Sequence, residues 1–126
     1  MPTEPATWQT RTGLSEEDFA RFTRYCNASD NDIDNANRAR VLGFTGRNVR
    51  IAPGAIVRIG ENQPGDNVFI GLYCYVNGDV TIGANVLIGP HCSITAGHHA
   101  FDPVKGWFAA RTAKEANPIV IGEGSW

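Results

Sequence analysis

Val49-Arg-Ile51-Ala-Pro-Gly-Ala55-Ile-Val57, Val68-Phe-Ile70-Gly-Leu-Tyr-Cys74-Tyr-Val76 and Val86-Leu-Ile88-Gly-Pro-His-Cys92-Ser-Ile94 are one pattern written three times. The second copy starts nineteen residues after the first, and the third eighteen after the second. Aliphatic residues recur every six positions: Ile51 and Val57, then Ile70, Val76, Ile82, Ile88 and Ile94. A fixed internal period outranks local propensity, because each repeat buries its apolar side only against its neighbours. A helix of 3.6 residues per turn does not bring one face inward every six residues. Simple strand alternation is excluded by the glycines and prolines inside the runs.

A step of six grouped in eighteens describes a triangular solenoid, each side a short strand and three sides a coil. The aliphatics point inward, and Ala55, Cys74 and Cys92 fill the narrowing space near a corner. Gly60, Gly71, Gly83 and Gly89 are expected at the corners, where they supply backbone freedom. The nineteen-residue step places one extra residue near Gln63-Pro64-Gly65, expected to bulge outward. Cys74 and Cys92 fall at equivalent places one coil apart, a spacing of about 4.8 Å. We read them as small reduced core residues rather than a disulfide.

Working outward, residues 1–48 form an N-terminal extension and 49–126 the repeat. Ser15-Glu-Glu-Asp18 reads as a helix N-cap followed by acids in the first turn. Leu14 and Phe19 stand as a hydrophobic staple, with Phe19, Phe22, Tyr25 and Cys26 as the buried stripe. A second short helix is expected from Ile33 to Leu42, ending at Gly43, and both helices are expected against the prism's first open end or its flank. The repeat breaks at Ala96, and residues 97–117 make one long excursion loop carrying His98, His99, Asp102 and the aromatics Phe101, Trp107 and Phe108. A loop of that length inside a compact repeat implies a function. The repeat resumes at Pro118, with Ile119-Val-Ile-Gly-Glu-Gly-Ser-Trp126 aligned on Val80 to Leu87.

The chain of 126 residues carries a net charge of −2 with a pI near 5.8, which gives no electrostatic basis for a nucleic-acid or membrane partner. No apolar run approaches the ~20 residues of a membrane span. The first ten residues lack the basic and apolar regions of a secretory signal, which favours a cytoplasmic location.

The hexads, the run Ile82-Gly-Ala-Asn-Val-Leu-Ile-Gly-Pro90, the histidine-bearing loop and the resumption at Pro118 together resemble the hexapeptide-repeat acyltransferases, and within them the maltose and galactoside O-acetyltransferase group. The resemblance covers about residues 38 to 126. It implies a mainly β, left-handed parallel β-helix, here of about three coils. It implies acetyl-CoA as co-substrate and a homo-oligomer, most often a trimer. The family's catalytic histidine lies five residues after the last inward aliphatic, which from Ile94 is His99; a shift of one gives His98. That histidine would act as general base on an acceptor hydroxyl, since imidazole accepts a proton near neutral pH and can pass it on. Asp102 or Asp79 is expected to orient it. Gly71 and Tyr73 occupy places where the group carries Asn for acceptor binding, so the resemblance carries no maltose or galactoside specificity. Trp107 is a further candidate for contact with the acceptor, and Arg111 and Lys114 for the CoA phosphates. No metal is expected, because His91, His98, His99 and Asp102 lack a ligand spacing. The group continues for several coils past the position of Trp126, where much of its CoA groove lies. Two expectations follow: an acetyltransferase acting on a hydroxyl or amino group of a sugar or small xenobiotic, or a truncated, non-catalytic relative. In either case the apolar end near Trp126 is expected to be covered by the 97–117 loop or another chain.

Overall fold

The computed structural model describes residues 13–21, 29–112 and 117–126, without the side chains of 110–112. Residues 16–21 are helical, and Ser15 Oγ accepts the Asp18 N–H at 3.1 Å, the cap expected there. Phe22, Tyr25 and Cys26 lie outside the described residues. Helix α1 runs Asp32–Val41, one residue earlier at each end than its sequence suggested. The shift follows its caps: Asn31 accepts from the Asp34 N–H, and the Leu42 N–H closes on Arg38. Acids Asp32 and Asp34 in the first turn and Arg38 and Arg40 in the last oppose the helix dipole. Ala39 is buried in one apolar cluster with Val49 and Ile51, so α1 packs against the start of the repeat. Asn35, the buried polar residue beside it, is satisfied by Asp30 and Arg38.

Three stacks of short parallel strands make the faces of the repeat. The first joins β1 (Arg50–Ile51), β3 (Phe69–Ile70) and β6 (Leu87–Ile88). The second joins β2 (Ile56–Arg58), β4 (Tyr75–Asn77) and β7 (Ser93–Thr95). The third pairs β5 (Val80–Ile82) with β10 (Ile119–Ile121). The register is that of the hexads: Ile51 lies on Ile70 and Ile70 on Ile88, while Val57 lies on Val76 and Val76 on Ile94. Val68, Ile70, Val76 and Val80 are fully enclosed. Parallel pairing with every inward position aliphatic gives this β-helix-like, hexapeptide-repeat architecture its continuous core. Leu87 N–H donates to Ser125 O at 3.0 Å, so the resumed segment overlays Val80 to Leu87 as aligned. Cys74 and Cys92 are free, and the Cys74 thiol donates to Gly89 O.

The corners differ from the expectation. Gly60 does take a left-handed backbone, but the other recurring left-handed positions are Gly54, Tyr73 and His91 at one corner and Asn48, Asn67, Asn85 and Gly124 at another. Asparagine tolerates this conformation because its short side chain bonds locally. Here the amides bond each other instead, Asn48 to Asn67 at 2.7 Å and Asn67 to Asn85 at 3.0 Å, and Asn85 then donates to Glu123. The rings of Tyr73 and His91 stack at 5.4 Å. The extra residue of the nineteen-residue step lies within 59–64. Pro64 is buried rather than bulging, and no strand forms there; Asn62 Nδ2 instead donates to Val80 O at 3.0 Å.

The described part of the 97–117 excursion contains a hairpin. Strand β8 (His99–Asp102) pairs antiparallel with β9 (Trp107–Thr112) as a hairpin, with a bulge between His99 and Phe101. Phe101 and Phe108 face each other edge-on at 5.2 Å. Among the described residues no helix is long and apolar enough to cross a membrane. A cavity of about 200 Å³ lies beside Trp126, lined by Val86, Ile88, Cys92, Ile94 and Ile121 among others. None of its described lining comes from the hairpin, whose strands pair with each other.

Candidate active site

The hairpin leaves and rejoins the repeat at one corner, and both roots rest on the same three residues. Ala96 N–H donates to Asn77 O at 2.8 Å, and Ile119 N–H to Asp79 O at 3.0 Å. Between them, Gly78 has φ 98°, and a Cβ on it would sit 2.3 Å from Ala96 O. No residue with a side chain fits that approach, so the hairpin's position is written into Gly78.

His98 and His99 stand at this root. His98 Nδ1 lies 3.4 Å from Asn117 Nδ2 across the stem, a contact between the two roots that orients the ring. His99 is exposed on β8. Strand alternation puts it on the same hairpin face as Phe101 and Phe108. Asp102 falls on the opposite face with Trp107, and its Oδ1 accepts the N–H groups of Val104 and Lys105, shaping the turn. That carboxylate therefore organises the hairpin rather than addressing His99. Asp79 lies under the stem, its Oδ1 accepting from Asn62 at 3.0 Å.

The remaining candidates are dispersed. Gly71 is buried between coils, and a Cβ there would lie 2.7 Å from Ile88 O, so its place reflects close packing, not acceptor contact. Tyr73 is half-exposed in its stack with His91 at the corner between the first two faces, a different corner from the hairpin's. Trp107 is 61% exposed on the hairpin. Lys114 and the Arg111 side chain lie outside the described residues. Sequence reading missed Asn117 and Asn62; their partners, His98 and Asp79, are nineteen and seventeen residues away, and no local pattern announces such pairs.

The described residues thus form a parallel hexapeptide-repeat solenoid with a histidine-bearing hairpin at one corner. Residues 65–96 match the family described as bacterial transferase hexapeptide (six repeats). No curated protein and no solved structure matches the chain.

Proposed function

We propose that the chain is an acyl-CoA-dependent acetyltransferase on a left-handed β-helix of about three coils, acting on a hydroxyl or amino group of a small molecule. Acetyl-CoA is the co-substrate and His99 the general base. The observation that carries this reading is a transferase-type hexapeptide repeat interrupted, at one corner, by a hairpin with two histidines at its root. As the acceptor's oxygen or nitrogen lone pair attacks the thioester carbon, the histidine takes the proton from that atom. The C–S bond then breaks, and the same proton passes to the CoA thiolate. The oriented ring of His98 makes it the second candidate base. The protein works as a cytoplasmic homo-oligomer, a trimer in this reading. The hairpin's Phe101, Val104, Trp107 and Phe108, all exposed in the single chain, suit burial between copies.

The test is thiol release from acetyl-CoA with a panel of sugars and amines. Activity lost in His99→Ala and retained in His98→Ala supports the assignment; the reverse moves the base to His98. No binding of acetyl-CoA by calorimetry overturns the proposal and leaves the non-catalytic relative.

A further inference from the structure

The irregular step in the repeat opens a cavity on the hairpin's own corner. Residues 59–64 are one more than the matching residues 78–82 of the next coil, and they form no strand over β5. The space left is an open groove of about 390 Å³ lined by Arg58, Gly60, Glu61, Asn62, Gly78 and Asp79 over the buried Ile59. That volume is within the range of small-molecule sites, about 300–1,000 Å³. Gly78 lies against Ala96 at the leaving root, and Asp79 O receives the Ile119 N–H at the returning one, so the groove adjoins the root of the hairpin that carries His98 and His99.

The lining is built rather than incidental. Asn62 uses its amide to hold Asp79 Oδ1 and Val80 O, each at 3.0 Å, which fixes the wall between them. Neither Arg58 nor Glu61 takes part in an ion pair among the described residues. Two acidic residues and one arginine line the groove, so it presents hydrogen-bond acceptors and donors with an excess of negative charge.

We propose that this groove is the acceptor subsite and that it takes a small hydroxylated amine: Glu61 and Asp79 receive the ammonium, Arg58 donates to a hydroxyl oxygen, and Asn62 Oδ1, whose amide hydrogens are already committed, accepts from a hydroxyl. The inference rests on the acetyltransferase reading for the word acceptor, but its test does not. The ¹⁵N-labelled full chain is titrated, without acetyl-CoA, with glucosamine, glucose and glucose 6-phosphate. The amide signals of Gly60 and Gly78 and the side-chain amide of Asn62 report the groove. Glucosamine shifts them at lower concentration than glucose, and glucose 6-phosphate shifts them least. Glu61→Gln weakens the glucosamine response about two- to fivefold, the range of a single exposed ion pair, and leaves the glucose response unchanged. Glu61 is exposed, and the spectrum itself reports that the variant is folded. Silence of these three signals overturns the proposal, as does a stronger response to glucose 6-phosphate or indifference to Glu61→Gln. A chain that binds glucosamine here but never releases thiol overturns the acetyltransferase reading alone. Acetyl transfer to other amines with the groove signals unmoved overturns the groove alone.

Discussion

Gly71 and Gly89 stand at the same place in the repeat, one step of eighteen apart, yet replacing each by alanine should have opposite effects. At Gly71 a Cβ would meet Ile88 O at 2.7 Å, Gly89 C at 2.9 Å and Pro90 N at 2.9 Å, all backbone atoms of the next coil. Favourable carbon contacts lie near 3.5–4.0 Å, so that coil must retreat by about 0.6–1 Å. The retreat stretches the Gly71 N–H bond to Ile88 O, now 2.8 Å. Gly71 does not have a left-handed backbone, so alanine suffers no conformational penalty and the effect is steric. Overpacking of this kind costs about 1–3 kcal/mol. The lower entropy of the unfolded alanine chain returns about 0.4–1 kcal/mol. A net loss of about 1–2 kcal/mol corresponds to a Tm lower by roughly 3–12 °C for a chain of this length. At Gly89 nothing lies within 4 Å of the added carbon. There only the entropic gain remains, and Tm should hold or rise by a few degrees. Thermal melts by circular dichroism, with urea titration as a second measure, compare the two variants. A neutral Gly71→Ala refutes the close coil contact. A Gly89→Ala as damaging as Gly71→Ala refutes the open space above Gly89 and means that another coil or another copy packs there.

Gly78→Ala combines a left-handed backbone with a 2.3 Å clash against Ala96 O; it should lift the hairpin root and expose 97–117 to limited proteolysis before the repeat melts. Asn67→Ala should cost about 1–2 kcal/mol from the left-handed backbone alone, with the ladder bonds lost in addition, whereas Asn67→Gly removes only the ladder; urea midpoints separate the two. Asp66 is held below its ordinary pKa of 3.8, first by the Arg47 backbone N–H and then by the Arg47 side chain. A depressed carboxylate stabilises the fold fully above its unfolded pKa and progressively less as pH falls through the folded value. Stability should therefore decline below about pH 3.8 in the native chain and decline less steeply in Asp66→Asn, read as Tm against pH.

The inward positions were legible because a solenoid imposes one demand, burial, at a fixed interval. Ile70 on Ile88, Val76 on Ile94 and Ile119 on Val80 follow from counting alone. The corners were not, because several residue types satisfy the same backbone. Tyr73 and His91 adopt the left-handed conformation that Gly54 has in their column, and the ring of Tyr73 occupies the space that the missing side chain of Gly54 leaves. The hairpin was signalled, though not by hydrophobic period: Asp102-Pro-Val-Lys-Gly106 combines an aspartate that bonds its own turn with a glycine at φ 79°. The site itself is built from contacts such as His98 to Asn117, which exist only once both hairpin roots sit on Gly78.

The two departures from the period belong together. One is the extra residue in 59–64, where Pro64 turns inward and the Asn62 side chain takes over a carbonyl that a strand would have paired. The other is the insertion of 97–117, twenty-one residues long. Both fall at the same corner, the first emptying space beside Gly78 and Asp79 and the second rooting the histidine-bearing hairpin on the stretch from Asn77 to Asp79. A solenoid's regular faces are occupied by its own stacking, so room for a ligand exists only where the repeat is broken. The two breaks thus converge on one short stretch, Asn77 to Asp79, where the regular stacking is interrupted from both sides.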